Sequence, residues 1–484
     1  MKFTIKTIGC KVNTYESDKI KEELMKFGLD YIDVEDKESY KDLDFYIVNT
    51  CSVTKIADKK SRQMLHLAKK YNPNVKVIAI GCMVDSLSVG ASKSVGDDIL
   101  SSRVGASYTS PQLDGVDYLL SNKEKNKLTE LISTIIRESV GDDILSSRVG
   151  ADIIRPHVGD DILSSRTRVR AFIKIQDGCN QYCTYCIIPY LRGNIKSRNN
   201  DDIIKEVNEK VKYGVKEIVL TGIHLSSFGL DRVGLQYEND GAIEVARKSL
   251  LEIMMQVAEI DGIERIRLGS LEPRIIDDYF LKFLVGDDNL LHCGRTECPP
   301  LQENGEDVIR SHVGASTASP LAKKFCANFC LSLQSGCDKT LKRMNRHYTT
   351  SDFENACNLI RKFMPYATIT TDVIVGFPGE TEDDFNESLS FVKRMRFYNP
   401  NIFPYSRRKG TKADEMDGQL TQSEKHERTV QMIADCEKIS KEIEEKYFES
   451  FPDRARDVLV EEYIDKNGKK YGAGYTKEYI KVLV

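Results

Sequence analysis

No apolar stretch of this chain approaches the ~18 residues that a membrane span requires; the longest, around 75–84, falls far short. Lys2, Lys6 and Lys11 break up the N-terminus, so no signal-peptide apolar region forms there. A soluble, cytoplasmic protein with no membrane partner is expected. An excess of one charge is also missing: 70 Lys and Arg stand against 74 Asp and Glu, a net charge of −4. Global attraction to nucleic acid is thereby excluded, and any such binding has to come from local basic patches. What is present is ample. Apolar residues at 40% and charged residues at 30% supply core and surface, and exclude disorder as the main state. A length of 484 residues suggests about three domains.

A regular repeat is missing too, although repetition is not. The nonapeptide VGDDILSSR occurs unchanged at 95–103, 140–148 and 158–166, with a degenerate relative, VGDDNLLHCGR, at 285–295. Shorter VGAS echoes begin at Val89, Val104 and Val313. The unchanged copies start 45 and then 18 residues apart (95 to 140, 140 to 158), which no stacked solenoid permits. The copies read as one element inserted into surface loops at about 88–112, 139–166 and 285–320, where added length is tolerated. Three copies of a functional binding loop are the alternative.

Outside those stretches the pattern is α/β. Strands are expected at 2–8, 45–49, 75–80 and 116–120, with helices at 15–27, 56–71 and 123–137. That alternation predicts a small, doubly wound parallel sheet with helices on both faces. The middle repeats the grammar, with strands at 171–175, 217–220, 265–268, 330–333, 369–375 and 401–404. Helices at 202–213, 250–260, 350–363 and 382–395 fall between them. Six such units predict an open or complete parallel barrel, a (β/α)6 arrangement with chemistry at the strands' C-terminal ends. A charged helix at 422–446 and a β-rich tail at 457–484, with a turn at Asn467-Gly468, complete the chain.

Thirteen cysteines are the informative residues, and in a reducing cytosol they are not disulfides. Cys10, Cys51 and Cys82 stand in TIGCKVN, VNTCSVT and AIGCM, each directly after one of the first three strands. Carboxyl ends of neighbouring parallel strands share one edge, so the three are expected to meet in one crevice. The second set, Cys179, Cys183 and Cys186 in CNQYCTYC, follows the first barrel strand. Three thiolates within eight residues can surround one compact centre. An iron–sulfur cubane takes four ligands, so three cysteines leave one iron open for substrate. Structural zinc is the alternative from spacing alone, although no histidine follows at finger-like distance and the nearest downstream is His224.

CNQYCTYC resembles the CxxxCxxC signature of radical S-adenosylmethionine (SAM) enzymes. With the N-terminal cysteines, the chain resembles the radical SAM methylthiotransferase family over nearly its whole length. TIGCKVNTYES, LSLQSGCDKTLKRMNRHYT and TTDVIVGFPGET resemble the branch acting on threonylcarbamoyladenosine 37 of tRNA. The resemblance implies two 4Fe–4S clusters: an auxiliary one on Cys10, Cys51 and Cys82, and a radical-generating one on Cys179, Cys183 and Cys186. It implies that one SAM methylates sulfur at the auxiliary cluster and that a second is cleaved to a 5′-deoxyadenosyl radical. That radical takes hydrogen from C2 of the nucleoside, which then receives the methylthio group.

Other motifs support this chemistry. Thr221-Gly222 resembles the family's contact to the methionine amino group, and Ser270 and Glu272 in LGSLEP end another strand. Gln334, Gly376, Gly379 and Glu380 fall at the same rim, where glycines permit close approach of backbone to ligand. An ordinary turn is the alternative for Gly376 and Gly379. Cys293, Cys298, Cys326 and Cys330 are read as decoys, Cys330 standing where the family more often has histidine. Cys337, Cys357 and Cys436 are read as packing residues or exposed thiols.

For RNA, the stretch 392–412 carries seven Lys or Arg and no acidic residue. Arg407, Arg408, Lys409 and Lys412 are assigned to contact the tRNA anticodon loop, and Lys393 to Arg396 to a solvated helix face. Lys342, Arg343 and Arg346 with Tyr348 add charge and an aromatic ring, the combination a single-stranded loop needs. The tail resembles the first half of a small β-barrel RNA-binding domain of the TRAM type, a truncated one that stops at Val484. The expected organisation is 1–138 as the methylthiotransferase N-terminal domain, 139–166 as inserted linker, 167–448 as the radical SAM domain and 449–484 as the partial TRAM-like domain. The expected activity is that of a monomeric tRNA methylthiotransferase on threonylcarbamoyladenosine 37, served by a reductant protein. Alternatives are isopentenyladenosine 37, a ribosomal-protein aspartate, or an inactive or zinc-stabilised RNA-binding relative.

Overall fold

A computed structural model describes residues 1–88, 113, 115–140, 169–286, 319–452, 457–466 and 469–484. Nearly all of the repeated segments, with Cys293, Cys298 and the turn at Asn467-Gly468, lie outside the described residues. Helices Cys82–Ser88, Leu128–Val140 and Asp278–Val285 lie next to the repeated segments along the chain. Gly286 caps the last of these in the left-handed conformation that glycine adopts without a Cβ clash.

The chain divides into two compact units. In the first, strands β1 (Lys2–Thr7), β2 (Asp30–Tyr31), β3 (Phe45–Thr50), β4 (Lys76–Gly81) and β5 (Tyr118–Leu120) form a parallel sheet in the order β2-β1-β3-β4-β5. Alternate residues of β3 and β4 serve two cores. Tyr46, Val48, Val77 and Ala79 face the helix Lys55–Tyr71, and Phe45, Ile47, Ile78 and Ile80 face the helices Lys11–Lys26 and Leu128–Val140. A sheet covered on both faces explains why β3 is buried along its whole length. The two-residue β2 is absent from the sequence expectation, being too short to show a period. The first helix also begins earlier than expected, at Lys11 directly after Cys10.

The first unit also takes in two later segments, Tyr185–Gly193 and Ser406–Glu415. The second unit contains β6 (Arg170–Lys174), a short antiparallel pair β7 (Gln176–Asp177) and β8 (Lys196–Ser197), β9 (Glu217–Thr221), β10 (Arg265–Leu268), β11 (Ser270–Leu271), β12 (Asn328–Gln334), β13 (Thr368–Val375) and β14 (Asn401–Pro404). Apart from β7 and β8 these run parallel and in chain order, as β6-β9-β10 and β11-β12-β13-β14, with only Gly269 between β10 and β11. The central β9 and β10 are fully buried, whereas β6 and β14 are partly exposed, as edge strands are. Helix starts follow their caps. Thr349 with Asp352, Thr381 with Asp384 and Thr421 with Glu424 form reciprocal capping boxes. Cys357 and Cys436 lie in the main core, as packing residues.

The tail forms an antiparallel sheet of β15 (Leu459–Lys466), β16 (Lys469–Tyr475) and β17 (Lys481–Leu483). It docks on the N-terminal ends of the parallel strands. Arg265 donates to the Tyr475 carbonyl at 2.6 Å, and Arg267 to those of Thr476 and Lys477 at 2.7 and 2.9 Å. The fully buried Glu217 carboxylate lies 2.8 Å from Arg267 and is paired with Arg170 as well, which holds it below the usual carboxylate range despite its burial. Among the described residues no helix is long and apolar enough to cross a membrane.

Candidate active site

The first cysteine set meets at one edge, because β1, β3 and β4 are neighbours and each cysteine follows one of them. Cys10 precedes the helix Lys11–Lys26, Cys51 follows β3 and Cys82 opens the helix Cys82–Ser88. The glycines before Cys10 and Cys82 are required by that convergence. Gly9 has φ +123°, and a Cβ there would lie 3.1 Å from the Cys51 sulfur; Gly81 has φ +99°, and its Cβ would lie 2.8 Å from the Thr50 carbonyl oxygen. Asn13 ties the strand ends together, donating to the carbonyls of Ile8 at 2.8 Å and Thr50 at 3.1 Å. Cys10 is exposed, whereas Cys51 and Cys82 are buried. Burial pushes the Cys51 thiol up to about 11; the Cys82 and Cys10 sulfurs add to this and Arg408 opposes it. Asn122 Nδ2 lies 3.5 Å from Cys82 Sγ and is held by Asp85 at 2.5 Å. Ile187 and Leu191 pack on Cys82.

The second set starts in the loop after β7. Cys179 and Cys183 are buried, while Cys186 is partly exposed and lies in Tyr185–Gly193, which packs with the first unit. The loop is pinned to the turn after the helix Asp338–Arg343. Thr184 N donates to the Met344 carbonyl at 3.0 Å, and Asn345 Nδ2 to that of Gln181 at 3.2 Å. Arg346 Nη1 donates to Cys183 Sγ at 3.0 Å. Burial pushes the Cys179 thiol up to about 12. Among the described residues no three His, Cys, Asp or Glu side chains stand close enough to hold a single metal ion, and no disulfide joins any of the eleven described cysteines.

The other rim residues have varied surroundings. Gly222 has no space for a side chain, since a Cβ would lie 2.8 Å from Gln176 Oε1, the atom that accepts from His224 N. Burial, with nearby cationic Arg346 and Arg274, lowers His224 to about 3, so its ring is neutral at physiological pH. Ser270 Oγ and Cys330 Sγ touch at 3.1 Å across the β11–β12 register. Glu272 is buried, accepting from Arg274 Nε at 2.8 Å and from the Tyr237 hydroxyl. Gln334 ends β12 at φ +68°, unusual for a residue with a side chain and a mark of a constrained strand end. Glu380 accepts from Gly376 N and from Arg428, both at 2.7 Å, which makes 376–380 a tightly tied turn.

The basic residues separate. Lys393, Arg394 and Arg396 each pair with a surface carboxylate. Arg407 is bound to Asp414, Lys409 and Lys412 are exposed, and Arg408 turns inward to the Val53 carbonyl. Tyr348 departs from the expectation of a ring open to RNA. It is buried, with its hydroxyl on the carbonyls of Ser332 and Leu333 and Arg346 over its face at 4.8 Å. Asn13, Asn122 and the inward direction of Arg408 escaped the sequence reading. Of these only Asn13, three residues after Cys10, left a local signal.

Comparison with known proteins fits this architecture. Residues 2–100 match the profile of the uncharacterized protein family UPF0004, and residues 173–230 and 236–392 that of the radical SAM superfamily. The chain belongs to the radical SAM methylthiotransferase family. It is 31% identical over 478 residues to the threonylcarbamoyladenosine tRNA methylthiotransferase MtaB of Bacillus subtilis, covering 99% of this chain and 89% of that protein. It is 32% identical to the tRNA-2-methylthio-N(6)-dimethylallyladenosine synthase of Clostridium tetani, covering 98% of this chain and 88% of that one. In fold it is similar to the radical SAM methyltransferase TsrM of Kitasatospora setae, with a TM-score of 0.52 at 14% identity over 85% of this chain and 76% of that one.

Proposed function

We propose that this protein is a tRNA methylthiotransferase that converts N6-threonylcarbamoyladenosine 37 to its 2-methylthio derivative. The observation that carries the reading is the pair of cysteine sets within a chain of this family. One stands at the C-terminal edge of a parallel sheet, the other in a CxxxCxxC loop after the short antiparallel strand β7. Relatives named for threonylcarbamoyladenosine support the substrate, including the Aquifex aeolicus protein, 30% identical over the full length of both chains.

In this reading Cys10, Cys51 and Cys82 hold an auxiliary 4Fe–4S cluster, and Cys179, Cys183 and Cys186 hold the one that binds SAM. The donor set fits, because soft thiolates suit iron–sulfur centres and three of them leave a coordination position free. Bound there, the clusters and SAM supply radical generation and sulfur transfer. The chain's own residues position. Gly9 and Gly81 let the strand ends close on the first centre, and Asn13 fixes their spacing. Arg346 orients the Cys183 sulfur, while Thr221 and Gly222 would hold the methionine amino group of SAM, and Ser270 and Gln334 would meet its other polar parts. The tightly tied Gly376, Gly379 and Glu380 shape the rim, with Glu272 buttressing it through Tyr237 and Arg274. Lys409 and Lys412, exposed beside Arg407, contact the anticodon loop. The chain acts as a cytoplasmic monomer and draws electrons from a separate reductant protein.

A second reading, the dimethylallyladenosine substrate, is favoured by the 32% identity to the Clostridium tetani synthase. Nucleoside mass spectrometry separates the two, on tRNA from a host lacking both activities, with and without this gene. The 2-methylthio form of threonylcarbamoyladenosine is expected. Methylthiolation of dimethylallyladenosine alone would establish the second reading, and neither product, with soluble protein and both precursors present, would overturn both.

A further inference from the structure

Three consecutive cations, Arg407, Arg408 and Lys409, meet three different fates. Arg407 spends its charge on Asp414, with Nη2 on the Asp414 carbonyl at 2.8 Å. Lys409 is exposed. Arg408 is partly buried against the Cys51 loop, where Nε donates to the Val53 carbonyl at 3.3 Å. Its Nη2 is buried and has no hydrogen-bond partner among the described residues. The neighbouring contact of Ser406 Oγ, which accepts from Lys55 N at 2.8 Å, holds this segment to the same loop. The nearby carboxylate, Asp58, is shared with Arg62 at 3.3 Å and with the Ser52 hydroxyl at 3.4 Å.

A guanidinium with a desolvated, unpartnered N–H group is costly unless an anion faces it. The group it can serve here is the one the cysteines hold, because three thiolates outweigh the charge of an iron–sulfur core and leave the assembled centre anionic. We propose that Arg408 is a positioning residue for the Cys10, Cys51 and Cys82 centre, supplying its positive counterpart, and that it is not a phosphate contact. The inference rests on the proposed function, and it divides the basic loop into an inward arginine and outward lysines. Removing a positive charge beside a redox centre makes an added electron less favourable, so loss of Arg408 lowers the reduction potential of that centre.

The test uses the full chain with Cys179, Cys183 and Cys186 changed to Ala, so that only the first centre is read. Reduction is followed by electron paramagnetic resonance in the parent, Arg408→Gln and Arg408→Lys, with binding of an anticodon stem-loop measured alongside. Expected are a lower potential in Arg408→Gln, substantial recovery in Arg408→Lys and RNA affinity within twofold of the parent. Unmoved potentials with severalfold weaker RNA binding in Arg408→Gln would overturn the proposal in favour of a phosphate contact. Unmoved potentials and unmoved affinity would overturn it in favour of a packing role. A parent that holds no iron would instead sink the two-cluster reading, and this inference with it.

Discussion

The two cysteine sets solve one problem in opposite ways. Cys179, Cys183 and Cys186 are eight residues end to end, so a single loop determines their grouping. Cys10, Cys51 and Cys82 span 73 residues (10 to 82) and meet only because β1, β3 and β4 are adjacent in one sheet. A centre built on a loop depends on its own backbone and on the turn that pins it. A centre built on strand ends depends on the register of a whole sheet. The second kind is therefore open to damage from residues that never touch a ligand.

The largest effect should come from breaking each centre directly. Cys183→Ala is expected to abolish 5′-deoxyadenosine formation, whereas Cys51→Ala should retain SAM cleavage and lose methylthio product. Liquid chromatography of both products after anaerobic reconstitution separates the outcomes, and equal loss of both activities in both variants would end the division of labour. Next comes a change that spares every proposed ligand. Gly81→Ala forces a left-handed backbone onto a residue whose Cβ would lie 2.8 Å from the Thr50 carbonyl oxygen, a strain of about 1–3 kcal/mol. Iron per chain should fall by at least about half, because the strand-end site is lost and Cys186 of the loop set lies in the segment whose Ile187 and Leu191 pack on Cys82. Full iron retention would show that the sheet edge tolerates more than its close packing implies.

The smallest expected effect sharpens the comparison through pH. Burial raises Asp85, which holds Asn122 against Cys82, from 3.8 to about 6. The folded chain thus binds this proton more tightly than the unfolded one. Its contribution to stability is complete below pH 3.8 and lost as pH rises through about 6. Melting curves of Asp85→Asn should gain on the parent across that window, and parallel pH profiles would remove Asp85 from the account.

Much of this was legible before any fold was drawn. β10 and β14 begin and end where the periodicity put them, and the helices Thr350–Phe363 and Glu382–Met395 match residue for residue, because their capping boxes are written locally. Tyr348 was misjudged, since an aromatic ring beside arginines looks the same in sequence whether it faces solvent or the carbonyls of Ser332 and Leu333. Glu217 shows the converse. A lone acid at a strand start carried no signal, yet it organises Arg170 and Arg267 and, through Arg267, the docking of the tail.

By itself the sequence determined the alternation of strands and helices and the compact CxxxCxxC loop. These depend on neighbours within a few residues, whose geometry is repetitive. Only the tertiary structure decided the strand order that gathers Cys10, Cys51 and Cys82, the contact of Arg346 with Cys183, and which of three adjacent cations turns inward. Those outcomes are set by packing between residues tens to hundreds of positions apart, and spacing along a chain carries no measure of such distances.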